Sequence, residues 1–400
     1  MLDSSMSLTP QDELHLTRAL TLAQDAAAFA SPNPTVGCVL TRNSETIGEG
    51  AHLYDNRDHA EIAALKQAAS LGHSTQGATA YVTLEPCAHH GRTGPCSDAL
   101  IAAGIARCVV ATVDPNPLVS GAGLAKLRAA NVDVILLNPA TPLAQRGRHL
   151  NDAFAHFIQH HRPFVTLKAA LSVDGKLAPP PSTRASTAPH WITGTAARAD
   201  AQLLRHASDA ILTGIGTVLA DNPALTDRTN VPRRRPPLRV VLDTELRTPI
   251  DSALVATATN DLLIVCSNAA PTPNEYELLA AGAQIHRVPS THGRLDLANI
   301  LTALADRHIT SLLIEAGSTV NGSFLRANLV DKLVLYYAER ELGIDAIPFA
   351  ASIESPYALQ QRLTGTTRAT FPSNITRNAE DIRITGYLHD PWSNVPIPNP

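Results

Sequence analysis

The sequence predicts an α/β protein divided between two domains, and three observations carry that reading. A chain of 400 residues is long for one hydrophobic core, so two or three domains are expected. Hydrophobic content of 44% is ordinary for a packed globular chain and argues against disorder throughout. Short β-leaning apolar runs also alternate with helical periodicity up to about residue 138 and again after Pro163, the pattern of sheets covered by helices. A first domain is expected over residues 1–150, a second over 151–390, and a loose proline-rich tail over 391–400.

The first domain opens with a helix from Thr9 onward. Thr9 can cap, Pro10 suits the first helical position, and Asp12 stands where a capping-box partner belongs. Leu16, Leu20, Ala23 and Ala27 recur at helical spacing, and Pro32 and Pro34 end the run. A strand over 36–40 turns at Arg42-Asn43-Ser44 and returns through Ile47 to Gly50. Helices follow at 60–71, 97–103 (starting at Cys96) and 124–130, with strands at 80–84, 107–113 and 132–137 between them. Residues 143–159 read as one connecting helix. The second domain starts with a strand over 163–171 and an exposed loop from Pro179 to Pro189. Helix 196–206, strand 210–213, a short helix after Gly214-Ile215-Gly216, strands 238–242 and 262–266, helix 297–306, strand 311–314, helix 321–327 and strand 332–337 continue the alternation. No internal repeat is evident.

Bulk chemistry excludes several classes. A net charge of −4 offers no general attraction to nucleic acid. The first ten residues lack a signal pattern, no apolar run approaches a membrane span, and five cysteines do not make a disulfide scaffold, so a reduced, cytoplasmic protein is expected. The chemistry concentrates between His59 and Cys96. One imidazole and two thiols, His59, Cys87 and Cys96, suit a catalytic zinc site, because three protein ligands leave the fourth position for water. Glu61 lies two residues from the histidine, where it can handle that water's proton. A lone histidine is usually a surface residue and a pair of cysteines usually core. Their combination with His-x-Glu and a proline before the first cysteine lifts this stretch above that reading, toward the H-x-E…P-C-x-x-C signature of zinc nucleobase deaminases. The departure is the spacing of the cysteines, nine positions instead of three. Cys38, Cys108 and Cys266 sit in apolar strands and read as core.

At this point the chain resembles a known family. Asn33-Pro34-x-Val36-Gly37, Gly50-Ala51-His52, His59-Ala60-Glu61, the stretch from Glu85 to Cys96 and Asp114-Pro115-Asn116-Pro117 are similar to the deaminase half of the bifunctional riboflavin-biosynthesis enzymes of the RibD type. The resemblance implies a cytidine-deaminase-like α/β/α domain in which a substrate loop separates the two cysteines. It makes His59, Cys87 and Cys96 the zinc ligands and Glu61 the proton shuttle, with Asn33, His52, His89, Arg92 and Asn116 on the substrate. Gly94 replaces a proline usual in the family.

In the second domain, Gly214-Ile215-Gly216 lacks the third glycine of a dinucleotide fingerprint, whereas the turn from Glu315 to Gly322 places small residues at a helix start suited to phosphate. Arg233-Arg234-Arg235 reads as a solvated loop. The resemblance continues through Leu167-Lys168, Asp174-Gly175-Lys176, Trp191-Ile192-Thr193, the run from Thr217 to Thr226, and Glu315-Ala316-Gly317. It implies a dihydrofolate-reductase-like α/β domain that uses NADPH to reduce a ribosyl group to ribityl. Ala170, Trp191, Thr217, Asp221, Thr244 and Gly317, Ser318, Thr319, Val320, Asn321, Gly322 and Ser323 would line the NADPH site. Lys168, Arg205, Leu225, Arg228 and Glu315 would face the substrate. Pro189 stands where the family usually has a substrate-contacting serine. The expected activity is therefore twofold: deamination of 2,5-diamino-6-(ribosylamino)pyrimidin-4-one 5′-phosphate, then side-chain reduction, by a homo-oligomer that binds neither nucleic acid nor membrane. The alternatives are a deaminase with an inactive reductase domain, a nucleic-acid-editing protein and an inert zinc scaffold.

Overall fold

Helix α1 (Pro10–Ala30) starts at the expected capping box: Thr9 Oγ1 accepts from the Asp12 amide, and the Asp12 carboxylate accepts from the Thr9 amide. The computed structural model describes residues 8–89, 94–117, 119–180, 191–353, 355–375 and 379–396. After α1 come β1 (Gly37–Arg42), β2 (Glu45–Ala51), α2 (Ala60–Ser70), β3 (Thr79–Val82), α3 (Cys96–Ala102), β4 (Arg107–Val110), α4 (Ala122–Ala129), β5 (Asp133–Leu136), α5 (Pro142–Leu150) and α6 (Asp152–His160). The β1–β2 turn needs two left-handed residues, and Asn43 (φ 51°) and Ser44 (φ 65°) supply them. The five strands form one sheet in the order β2-β1-β3-β4-β5. β1 runs antiparallel to β2 and β3, and β3, β4 and β5 are parallel. Alternate residues of these strands bury opposite faces: Val39, Tyr81 and Val109 pack with Leu16 and Ala19 of α1, and Cys38, Val82 and Val110 pack with Ala60, Ala64, Leu100 and Leu124.

The second unit comprises residues 162–390. Its elements are β6 (Phe164–Ser172), β7 (Lys176–Ala178), α7 (Thr195–His206), β8 (Ala210–Gly214), α8 (Ile215–Asp221), β9 (Leu238–Leu242), α9 (Ala253–Ala256), β10 (Leu262–Ser267), α10 (Glu275–Ala280) and β11 (Ala283–Val288). Then follow β12 (Ser290–Thr291), β13 (Arg294–Leu295), α11 (Leu297–Ala305), β14 (Ser311–Ile314), α12 (Ser318–Arg326), β15 (Lys332–Ala338), β16 (Ile347–Pro348), α13 (Pro356–Gln360), β17 (Thr364–Pro372) and β18 (Glu380–Tyr387). The main sheet is ordered β11-β10-β9-β8-β14-β6-β15-β18-β17. It is parallel from β11 to β15, and an antiparallel β18–β17 ribbon closes its other end.

The structure corrects several expectations. Residues 143–159 form two helices, because the Asn151 side chain leaves the helical path to bond the Thr35 amide (2.8 Å) and carbonyl (3.0 Å). The first unit extends to His161, past the expected boundary at 150, since α6 packs within it. The segment from Pro391 also belongs to that unit: Trp392 (4% exposed) and Val395 are buried in its core, so the part of the tail described here, up to residue 396, is not loose. Arg233 is not solvated. Its guanidinium donates to the carbonyls of Arg205, Ser208 and Arg235 and pairs with Asp227. The strands β11, β17 and β18 were not anticipated. Pro189 and much of the loop expected around it lie outside the described residues, as do residues 397–400.

Candidate functional site

The first site is assembled beyond the carboxyl end of β3, the central strand of the five-stranded sheet. His59 is the N-cap of α2 and Cys96 the first residue of α3, so both arrive on helix starts, while Cys87 follows the end of β3. Their ligand atoms all lie within 4.8 Å of one another. His59 Nδ1 is 3.1 Å from Cys96 Sγ and 3.6 Å from Cys87 Sγ. The turn is tied closely, since the Cys96 amide donates to Cys87 Sγ (3.3 Å) and the Ser97 amide and hydroxyl both donate to the Cys87 carbonyl. The Cys96 thiol, the His59 ring and that amide lower the pKa of the Cys87 thiol well below the ordinary range, despite burial. One imidazole and two sulfurs at this spacing are the donor set of a three-ligand zinc site.

Glu61 sits in the first turn of α2 and is 3% exposed. Burial pushes its carboxyl up to about 7, against the opposing pull of its own amide, His59 and the Cys96 thiol. Across from it, His52 donates from Nδ1 to the Asp58 carbonyl (2.8 Å), which leaves Nε2 to accept from Asn33 Nδ2 (3.0 Å). Burial depresses the His52 pKa and favours this neutral form. The expected residues Asn33, His52, His59, Glu61, Cys87 and Cys96 are thus gathered together. His89 is exposed and acts electrostatically on Asp114, whose carboxyl burial pushes up to about 6 and which accepts from the Asn116 amide (2.8 Å). Arg92 lies outside the described residues. Two residues without an assigned role also shape the site: Asn151, which pins the loop after Asn33, and Glu85, whose carboxylate accepts four backbone amides. Both act over long sequence separations, which no local motif reports.

The second site lies at the carboxyl ends of β9, β8, β14 and β6, where parallel sheets present ligands to helix starts. A Cβ on Gly214 would come within 2.7 Å of Val320 Cγ2, and one on Gly317 within 3.7 Å of Thr217 Oγ1, so the starts of α8 and α12 sit side by side. The Thr213 and Ser318 hydroxyls are buried there without a hydrogen-bond partner among the described residues, which fits a polar ligand such as a dinucleotide phosphate. Thr217 and Thr244 stand near these strand ends, Ala170 lies late in β6, and Asp221 is exposed at the end of α8. Trp191 is half-exposed, with the Arg198 guanidinium 4.5 Å over its ring. The expected run from Gly317 to Ser323 divides in two. Gly317 to Val320 form the turn, but Asn321 and Gly322 are buried against the chain at Phe349 to Ala351.

Arg205 grips Glu315 through two bonds (2.7 and 3.0 Å) and donates a third to the Thr226 carbonyl, while Lys168 Nζ stands 3.7 Å from the same carboxylate. Burial would raise the Glu315 pKa, but Lys168 and Arg205 reverse this and hold it at about 2. Arg228 is exposed and within electrostatic reach of Glu315. The Leu225 side chain is 4% exposed and packs in an apolar cluster.

Comparison with known proteins matches each half separately. Residues 9–112 match the family described as the cytidine and deoxycytidylate deaminase zinc-binding region, and residues 163–368 match the RibD C-terminal domain. Riboflavin biosynthesis protein RibD of Escherichia coli is 40% identical over 348 residues, covering 84% of this chain and 90% of that protein. The solved structure of Acinetobacter baumannii RibD superposes with a TM-score of 0.75 at 34% identity, covering 94% of this chain and 98% of that one. A Thermotoga maritima structure, described as a diaminohydroxyphosphoribosylaminopyrimidine deaminase/5-amino-6-(5-phosphoribosylamino)uracil reductase, gives 0.77 at 30% identity, covering 94% and 99%. With both halves matched in order and nearly the whole length covered, the chain belongs to the RibD family of bifunctional riboflavin-biosynthesis enzymes, which join a zinc-dependent deaminase to an NADPH-dependent reductase.

Proposed function

We propose that the chain deaminates 2,5-diamino-6-(ribosylamino)pyrimidin-4-one 5′-phosphate at the first site and reduces the ribosyl side chain of the product at the second. The observation that carries the reading is the convergence of His59, Cys87 and Cys96 beside a buried Glu61. His59, Cys87 and Cys96 would hold the zinc, which would supply the Lewis acidity that brings the pKa of a water to about 7. Glu61 takes the proton of that water as its oxygen adds to the amine-bearing ring carbon. It delivers that proton to the ring nitrogen, then carries the second proton from the added hydroxyl to the departing amine as the carbonyl forms, and the amine leaves as ammonia. Its raised pKa suits a group that must both accept and donate near neutrality. Neutral His52, oriented by the Asp58 carbonyl, and Asn33 present polar edges to the pyrimidine, and His89, Arg92 and Asn116 complete the contacts.

In the second half, Gly317 to Val320, with Ala170, Trp191, Thr217, Asp221 and Thr244, receive NADPH, which supplies a hydride. Lys168 faces the substrate, and Arg228 is suited to its phosphate. Arg205 already spends three donors on Glu315 and Thr226, so it serves first to orient that carboxylate. Zinc-loaded chain given the substrate and NADPH is expected to release ammonia and then consume reduced nicotinamide. Ammonia release without NADPH oxidation would reduce the reading to a deaminase alone, and absence of both would overturn it. None of the helices among the described residues is long and apolar enough to cross a membrane, and we place the enzyme in the cytoplasm as a homo-oligomer. Sedimentation of the purified chain as a monomer would remove the last point.

A further inference from the structure

We infer that Glu85 is a positioning residue of the deaminase: its single carboxylate locks the substrate-facing loop from Asp114 to Gly121 onto the strand end that carries the zinc thiolate of Cys87. The inference deepens the proposed deamination and rests on it. Glu85 is 3% exposed and lies two residues before Cys87. Its Oε2 accepts from the amides of Asp114 (3.2 Å) and Gly121 (2.9 Å), and its Oε1 accepts from those of Gly123 (2.9 Å) and Leu124 (3.3 Å). Two carboxylate oxygens offer about four acceptor sites, so this set saturates the group.

The amides of Gly123 and Leu124 belong to the first turn of α4, whose N-cap, Gly121, is left-handed (φ 82°) and provides no side-chain cap. Glu85 therefore caps α4 from 36 to 39 residues away in sequence, with its charge set against the positive end of the helix. The packing leaves no slack on the other side either. A Cβ on Gly123 would fall 1.9 Å from the Pro86 carbonyl oxygen and 3.2 Å from Glu85 Oε1. The bridged loop carries Asp114 and, through the hydrogen bond that the Asn116 amide donates to Asp114 Oδ1, the expected substrate contact Asn116. The distance between the metal ligand and the residue that grips the substrate is thus set by one side chain.

The test compares wild type, Glu85→Gln, Asn116→Ala and the double variant for zinc content, deaminase kcat and KM, and the reductase rate of the same chain. Glu85→Gln turns amide donors against backbone donors and frees the loop. Its KM for the pyrimidine is expected to rise about tenfold or more, with kcat changed less and zinc and reductase rate retained. Because Glu85 acts through the loop, the double variant is expected to be no worse than the worse single one, whereas independent roles would multiply. Wild-type KM in Glu85→Gln, or multiplicative losses in the double variant, would overturn the inference. If Glu85→Gln does not retain zinc, Glu85→Asp keeps the charge but shortens its reach, and about a threefold rise in KM with zinc retained supports the inference. Loss of zinc from both variants assigns Glu85 to folding alone and overturns it. Absence of ammonia release from the zinc-loaded wild type would instead refute the deaminase reading, whatever the variants do.

Discussion

Two carboxylates show how residue environment sets function in the two halves. Glu61 is buried without a basic partner of comparable strength, so it stays poised near neutrality. Glu61→Gln preserves the shape and removes the proton carrier. It is expected to keep zinc in the purified chain while deamination falls about a hundredfold to ten-thousandfold and reductase activity is unchanged. Metal analysis alongside the two assays checks this, and wild-type ammonia release from the variant would exclude Glu61 as the shuttle. Glu315 is less completely enclosed, its side chain 13% exposed, and Lys168 and Arg205 depress its pKa from 4.5 to about 2. A folded-state value below the unfolded one makes the ionised carboxylate stabilising above about pH 4.5, and that contribution disappears as pH falls toward about 2. The stability gap between wild type and Glu315→Gln should therefore be widest near neutrality and close on acidification through this window. Chemical denaturation at a series of pH values measures it, and a gap independent of pH would contradict the assigned charge state.

At the scale of elements, the deaminase site depends on how closely α2 lies on β2. A Cβ on Gly50 would meet the Ala60 carbonyl oxygen at 2.4 Å and the Ala64 amide at 2.5 Å, so only glycine lets the start of α2 approach. That start carries His59 and Glu61. Gly50→Ala is expected to cost about 1–3 kcal/mol of stability and to lower zinc retention, because it lifts both residues away from Cys87 and Cys96. Gly94, whose Cβ would meet nothing within 4 Å, provides the contrast: Gly94→Ala should change stability by no more than about 0.5 kcal/mol. Zinc content and thermal unfolding of the two variants decide the matter, and equal behaviour would refute the packing argument. This scale also shows what could be read in advance. The capping box at Thr9 and the His-x-Glu and Cys pairs are local patterns, and they led to α1 and the metal cluster. The Glu85 bridge, the Asn151 break between α5 and α6 and the burial of Arg233 are set by partners far away in sequence, where local pattern is silent. The β17–β18 ribbon was missed for a related reason: the side chains of β17 are mostly exposed, so it lacks the apolar run that marks a strand.

The topology of the whole chain makes a testable statement about which segments each half needs. The first unit is discontinuous, since the chain leaves it after His161, builds all of the second unit and returns at Pro391. Composition read residues 391–400 as a loose tail, yet Trp392 is a core residue. Its ring is buried with Val113 and Ala155 in one apolar cluster, its Nε1 donates to Asp152 Oδ1 (3.1 Å), and the Arg148 guanidinium lies 5.3 Å from the ring. Gln159 Nε2 adds a bond to the Pro391 carbonyl (2.9 Å). These contacts fall on α5, α6 and Val113, which follows β4, so residues 391–396 complete the deaminase unit. Trp392→Ala is expected to destabilise that unit by about 3–5 kcal/mol, the usual range for truncating a buried tryptophan. Removal of residues 391–400 should act at least as strongly. In both variants the deaminase should unfold and lose zinc at lower temperature, while NADPH-dependent reduction of supplied deaminated substrate persists to the wild-type temperature. Parallel thermal inactivation of the two activities tests this directly. Equal shifts in both activities, or none in either, would show that the returning segment is not a private part of the deaminase core.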